Sequence, residues 1–203
     1  MKKILCYGDS NTFGFKPNDG ERHDKNSRWT GILQSKLGED FEIIEEGMCD
    51  RTGFVDNSKG FIFSAQKHFP EFISNIDKVD IIILAIGTND LQLFYNISDK
   101  KIEDDLKTLI NLAKEKSDEI ILIPPVILDE NILKGSFNFQ FDEKSIEKSK
   151  KVGEIYKKLA KAMGCKIFDF NEFVKPSKID GLHYDASSHK IIAEKLYKFL
   201  NIH

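Results

Sequence analysis

The sequence predicts an α/β protein in which a parallel sheet carries helices on both faces. Three observations lead there. Short apolar runs alternate with longer amphipathic segments along the whole chain. One run, Asp80-Ile81-Ile82-Ile83-Leu84-Ala85-Ile86, is apolar on both faces, as a central parallel strand should be. The runs stop at clusters of Gly, Asp, Ser, Asn or Pro, the punctuation of buried strands that end in turns. A chain of 203 residues is long enough for one domain with a substantial core.

The first strand is expected at 3–7, running into Gly8-Asp9-Ser10-Asn11. Residues 16–27 are polar and contain Pro17, Asn18, Gly20 and Asn26, so they read as a loop rimming whatever Ser10 does. Trp29, Ile32, Leu33 and Leu37 recur at helical spacing and Gly38 closes that helix; Trp29 is expected in the core. A second strand at 41–45 ends in a glycine-bracketed turn, Gly47 to Gly53. A helix is expected within 63–76, beginning near Pro70 or kinked there. The central strand 80–86 ends at Gly87-Thr88-Asn89-Asp90, and a helix follows over 99–116, with Ile102, Leu106, Leu109, Ile110 and Ala113 on its buried stripe. A fourth strand at 119–123 closes at Pro124-Pro125. Residues 126–142 form a long connection, and loops of that length are uncommon unless functional, so this one is expected to wall a substrate pocket. A helix at 143–163 ends at Gly164, a fifth strand spans 165–169, and a last helix covers 186–200.

Composition excludes several function classes. Hydrophobic residues are 40% and charged residues 31%, ordinary for a globular chain. The net charge is −3 and the basic residues interleave with acidic ones, so no nucleic-acid partner is expected. No apolar run reaches the length of a membrane span, and the N-terminus enters the first strand directly, so neither a membrane partner nor a leader is expected. Cys6, Cys49 and Cys165 are odd in number and widely spaced, forming neither a disulfide framework nor a metal pattern; a cytoplasmic setting is the expectation.

The polar clusters follow successive strands, and a parallel sheet brings all its carboxyl ends to one edge. There a serine hydrolase could be assembled. Ser10 is the candidate nucleophile and His183 the candidate base. Asp180, three residues earlier, would orient the imidazole. Backbone N–H groups at Ser10 and after the second strand, with the Asn89 amide, would form an oxyanion hole. Each residue also has a plain reading: Asp9, Ser10 and Asn11 are good helix caps, Asn89 and Asp180-Gly181 suit turns, and His183 suits an exposed loop. His23 and His203 read as surface residues, His68 and His189 as polar helix positions, with His189 a reserve candidate for the base.

This ordered set resembles the SGNH (GDSL-type) hydrolase superfamily. The matching blocks are Gly8-Asp9-Ser10-Asn11, Gly47-Met48-Cys49-Asp50, Gly87-Thr88-Asn89-Asp90 and Asp180-Gly181-Leu182-His183. Arg28-Trp29-Thr30-Gly31, the turn from Glu45 to Thr52 and Pro124-Pro125 resemble its arylesterase and acyltransferase branch. The resemblance implies a three-layer α/β/α sandwich with a flavodoxin-like, five-stranded parallel sheet. It implies Ser10 as nucleophile, His183 as base, Asp180 as its orienter, and an oxyanion hole drawn from Ser10, Gly47, Asp50 and Asn89. Asn11, Cys49 and Thr88 would face the pocket, and no metal or organic cofactor is implied. Asp50 stands where the family carries the donating glycine. Its carboxylate is unfavourable beside an oxyanion unless it turns away or pairs with Arg51.

The expected activity is hydrolysis or transfer of short acyl groups from a small-molecule ester. Removal of O-acetyl groups from a carbohydrate, acyl-CoA hydrolysis and a non-catalytic binding module are the rivals. Phe13, Phe15, Phe54 and Phe137 are candidate pocket walls, and self-association is allowed, with 126–142 the first segment suspected of a subunit contact.

Overall fold

In a computed structural model, which describes residues 1–200, five strands form one parallel sheet in the order β2-β1-β3-β4-β5. They are β1 (Lys2–Gly8), β2 (Phe41–Gly47), β3 (Ile81–Ala85), β4 (Glu119–Leu122) and β5 (Lys166–Ile167). This is the flavodoxin-like order. The helices are α1 (Ser10–Phe13), α2 (Trp29–Leu37), α3 (Ala65–Ser74), α4 (Asp99–Lys114), α5 (Glu143–Met163) and α6 (Ala186–Phe199). They cover both faces: α2 packs with α6, while α3, α4 and α5 pack in series.

The core sits where the patterning put it. Ile4 to Tyr7 of β1 and Ile82 to Leu84 of β3 are fully buried, and the helix stripe Ile102, Leu106, Leu109, Ile110, Ala113 is buried in the same core. Trp29 is buried as expected, and its indole N–H donates to the Asn11 carbonyl at 3.1 Å, so it also anchors the turn that carries Ser10. No helix is long and apolar enough to cross a membrane among the described residues.

Four local expectations need correction. The helix expected within 63–76 does not begin at Pro70; α3 carries Pro70 inside it and runs from Ala65 to Ser74. Helix α4 ends two residues early, at Lys114. The fifth strand is two residues long rather than five. The Phe168 N–H still bonds to the Leu122 carbonyl at 2.9 Å, but the Asp169 side chain then caps a 3-10 turn over Phe170–Glu172 and turns the chain away. A single helical turn, α1, directly follows β1 where no separate helix was foreseen.

Candidate active site

The carboxyl ends of β1, β2 and β3 bring Gly8, Gly47 and Ala85 side by side in the ladder. Just past that edge Asp9 caps α1, its carboxylate accepting the Asn11 N–H at 3.0 Å. The cap fixes Ser10 as the first residue of the helical turn. The cap therefore does not compete with a chemical role for Ser10, because the capping carboxylate belongs to its neighbour.

Ser10 Oγ lies 2.9 Å from His183 Nε2, and His183 Nδ1 lies 2.7 Å from Asp180 Oδ2. A carboxylate only accepts, so Nδ1 carries the proton and Nε2 is left as an acceptor for the serine hydroxyl. Asp180 Oδ1 takes the backbone N–H groups of Leu182 and His183 at 2.9 and 3.0 Å, so one carboxylate holds both the loop and the ring. Phe15 and Phe137 close on the imidazole, with ring centroids 4.3 and 5.3 Å from it. His183 is 2% exposed and Ser10 6%, so the pair is shielded from water while a rim of serine stays reachable.

Three donors stand just past the carboxyl ends of β1, β2 and β3. Asn89 is buried and its Nδ2 spends one hydrogen on the Arg51 carbonyl at 3.0 Å, leaving the other. The backbone N–H groups of Ser10 and Asp50 meet no protein acceptor among the described residues. Buried N–H groups without partners are uncommon, so two of them and an unspent amide at one sheet edge are available to an anion.

Other expected site residues take different parts. Gly47 is a packing glycine: a Cβ there would overlap the Phe13 backbone nitrogen, so its contribution is to let α1 approach β2. Asn11 is buried and lines, with Asp9 and Thr88, a small cavity. Its amide donates to the Leu182 carbonyl at 3.3 Å and accepts the Tyr184 N–H at 3.2 Å, clamping the Ser10 turn to the His183 loop. Thr88 is buried against Asp9; its hydroxyl and N–H oppose the burial that pushes the Asp9 pKa up. Cys49 is half-buried, and burial with Asp50 nearby pushes its thiol up to about 11.

Asp50 pairs not with Arg51 but with Lys59, at 2.7 Å; Arg51 bonds to Glu46 and to the carbonyls of Gly8, Glu46 and Ile62. Of the four phenylalanines, Phe15 and Phe137 reach the site. Phe54 is buried in the core, and Phe13 lies under the Arg22 guanidinium. His23 is buried rather than exposed, and His189 is fully buried; His189 Nδ1 accepts the Trp29 N–H at 3.3 Å, so it does not serve Ser10. His203 lies outside the described residues. The long connection does reach His183, through Phe137.

One residue escaped the sequence reading. Asp90 is buried, and its carboxylate accepts the N–H groups of Gly53, Phe54 and Val55 at 2.5, 2.7 and 2.9 Å. It staples the loop after β2 to the Asn89 turn. Its place beside Asn89 was the only signal. Among the described residues no three His, Cys, Asp or Glu side chains gather as metal ligands.

The model of the GDSL-like lipase/acylhydrolase family matches residues 6–191. The chain belongs to that family. It is accordingly an ester hydrolase with the SGNH fold. No curated protein sequence matches it significantly. Among solved structures it is similar to the native aryl esterase of M. smegmatis, 25% identical over 99% of each chain with a TM-score of 0.89. It is likewise similar to a carbohydrate acetylesterase family member from Sinorhizobium meliloti, 27% identical over 99% of this chain and 98% of that one, TM-score 0.89. A lipolytic protein of the G-D-S-L family from Veillonella parvula, 18% identical over 99% of each chain, shares the fold at a TM-score of 0.71.

Proposed function

We propose that this GDSL-like hydrolase cleaves, or transfers, short acyl groups from small-molecule esters through an acyl-serine. The observation that carries the reading is the unbroken chain Ser10 Oγ, His183 Nε2, His183 Nδ1, Asp180 Oδ2, at 2.9 and 2.7 Å. Ser10 Oγ attacks the ester carbonyl as its proton passes to His183 Nε2. The imidazolium that forms is stabilised by Asp180 and protonates the departing alkoxide. The tetrahedral oxygen takes the Ser10 and Asp50 N–H groups and the spare Asn89 hydrogen. Water, activated by the same imidazole, or a second alcohol then releases the acyl group.

Short acyl groups are favoured by the close aromatic walls of Phe15 and Phe137 around the imidazole. An O-acetylated carbohydrate is the second reading, favoured by the likeness to the S. meliloti acetylesterase family member. Hydrolysis of p-nitrophenyl acetate by wild type, Ser10→Ala and His183→Ala tests the mechanism. Each variant is expected to lose at least about 10³ in kcat. A Ser10→Ala protein as active as wild type overturns it. Rates on acetylated sugars far above the aryl ester would select the carbohydrate reading.

A further inference from the structure

The oxyanion proposed above forms beside a residue that carries its own negative charge. Asp50 has a φ of 60°, a left-handed conformation that glycine adopts freely and that Asn and Asp adopt best among the others. A glycine would meet the backbone requirement without bringing a carboxylate to the hole. The chain has the carboxylate, and the loop that follows is built around it.

Lys59 Nζ lies 2.7 Å from Asp50 Oδ2. Between them stands Asn57, which is buried. Its Nδ2 donates to the Asp50 carbonyl at 2.7 Å, and its Oδ1 accepts the Lys59 N–H at 2.9 Å. One amide therefore ties the backbones at both ends of the ion pair. As a surface pair, with both side chains part-exposed, it adds little to folding. Such a backbone brace is more than a stray surface contact needs. Nor can another cation do the work: Arg51, the neighbour in sequence, is committed to Glu46 and three carbonyls.

We propose that Lys59 is a positioning residue for the oxyanion hole: it draws the Asp50 carboxylate outward and neutralises it, so that the Asp50 N–H faces the developing oxyanion without an unpaired like charge beside it. The proposal rests on the serine mechanism above and adds to it a requirement peculiar to Asp50. Left unpaired, that carboxylate repels the oxyanion in a partly shielded site, which slows the chemical step by roughly tenfold. Substrate binding is spared, because the charge appears only in the transition state.

The test is steady-state hydrolysis of p-nitrophenyl acetate by Lys59→Met, Lys59→Arg, Asp50→Asn and the double variant Asp50→Asn/Lys59→Met, with thermal melting of each. Asn keeps the shape and tolerates the left-handed backbone. Lys59→Met is expected to lower kcat about tenfold with KM within about twofold, and Lys59→Arg to restore most of the rate. In the Asp50→Asn background the same lysine change is expected to cost nothing. A Lys59→Met protein with the wild-type kcat overturns the proposal. So does an equal loss in both backgrounds, since the lysine would then act on the loop and not on the charge. Ser10→Ala in the same assay separates these outcomes from failure of the serine mechanism, which would show as retained activity in that variant.

Discussion

Asp180 does two jobs with two oxygens, and a single substitution separates them. Oδ1 holds the loop through the Leu182 and His183 N–H groups; Oδ2 holds the imidazole proton. Asn in its place keeps one acceptor oxygen for the loop and presents an amide to Nδ1. The ring then favours the tautomer with its proton on Nε2, which cannot accept from Ser10. Asp180→Asn is expected to lower kcat by about 10³–10⁴ while the melting temperature moves little. Near-wild-type kcat would show that His183 needs no carboxylate. At this scale the sequence was informative because polar clusters behind successive parallel strands meet at one sheet edge. That Ser10, His183 and Asp180 come together was legible for that reason. Asn11 and Thr88 were not, because what they do is decided by partners far along the chain, Leu182 and Tyr184 for one and Asp9 for the other.

At the scale of elements, periodicity located the strands and long helices within a few residues, and the misses have local causes. Strand β5 is cut short by the Asp169 cap, which offers the backbone a turn instead of a ladder. The loop at 16–27 looked like simple polar connection, yet it is held down from both sides. Glu45 on β2 receives Arg28 through two bonds of 2.7 Å, Arg22 at 3.1 Å, and the Thr30 hydroxyl. A paired fork of this kind is strong, and removing the charge strands Arg28 in a mostly buried position. Glu45→Gln is expected to destabilise the protein by about 1–3 kcal/mol, less than a fully buried pair because Glu45 is partly exposed. That corresponds to a fall in Tm of several degrees. Limited proteolysis within 16–27 should quicken in parallel. An unchanged Tm with unchanged cleavage would mean that the loop is held by its other contacts alone.

Stability belongs to the molecule as a whole, and its acid side is set in part by a histidine that sequence reading placed on a polar helix position. His189 is buried where the 16–27 loop folds back on α6, with the His23 ring edge-on at 4.9 Å. That contact joins residues far apart in the chain, so no local pattern announces it. The Trp29 N–H occupies Nδ1, which leaves the proton on Nε2, an atom with no partner among the described residues. Burial pushes the His189 pKa down to about 3, and His23 beside it pushes the same way. The sign follows: between pH 6.5 and about 3 the unfolded chain binds a proton that the folded protein refuses, so stability falls as pH falls through that window. Asp90 works in the opposite direction. Burial raises its pKa to about 7 against the bonds from Gly53, Phe54 and Val55, so between 3.8 and about 7 the folded state holds the extra proton, and acid favours it. Comparing wild type with His189→Asn cancels Asp90 and leaves the histidine, because Asn can still accept the Trp29 N–H. From pH 7 to pH 5 the wild type should lose about 2 kcal/mol more than the variant in urea unfolding. Parallel pH profiles for the two proteins would show that His189 takes up its proton in the folded state as readily as in the unfolded chain, and that the 16–27 loop opens to admit it.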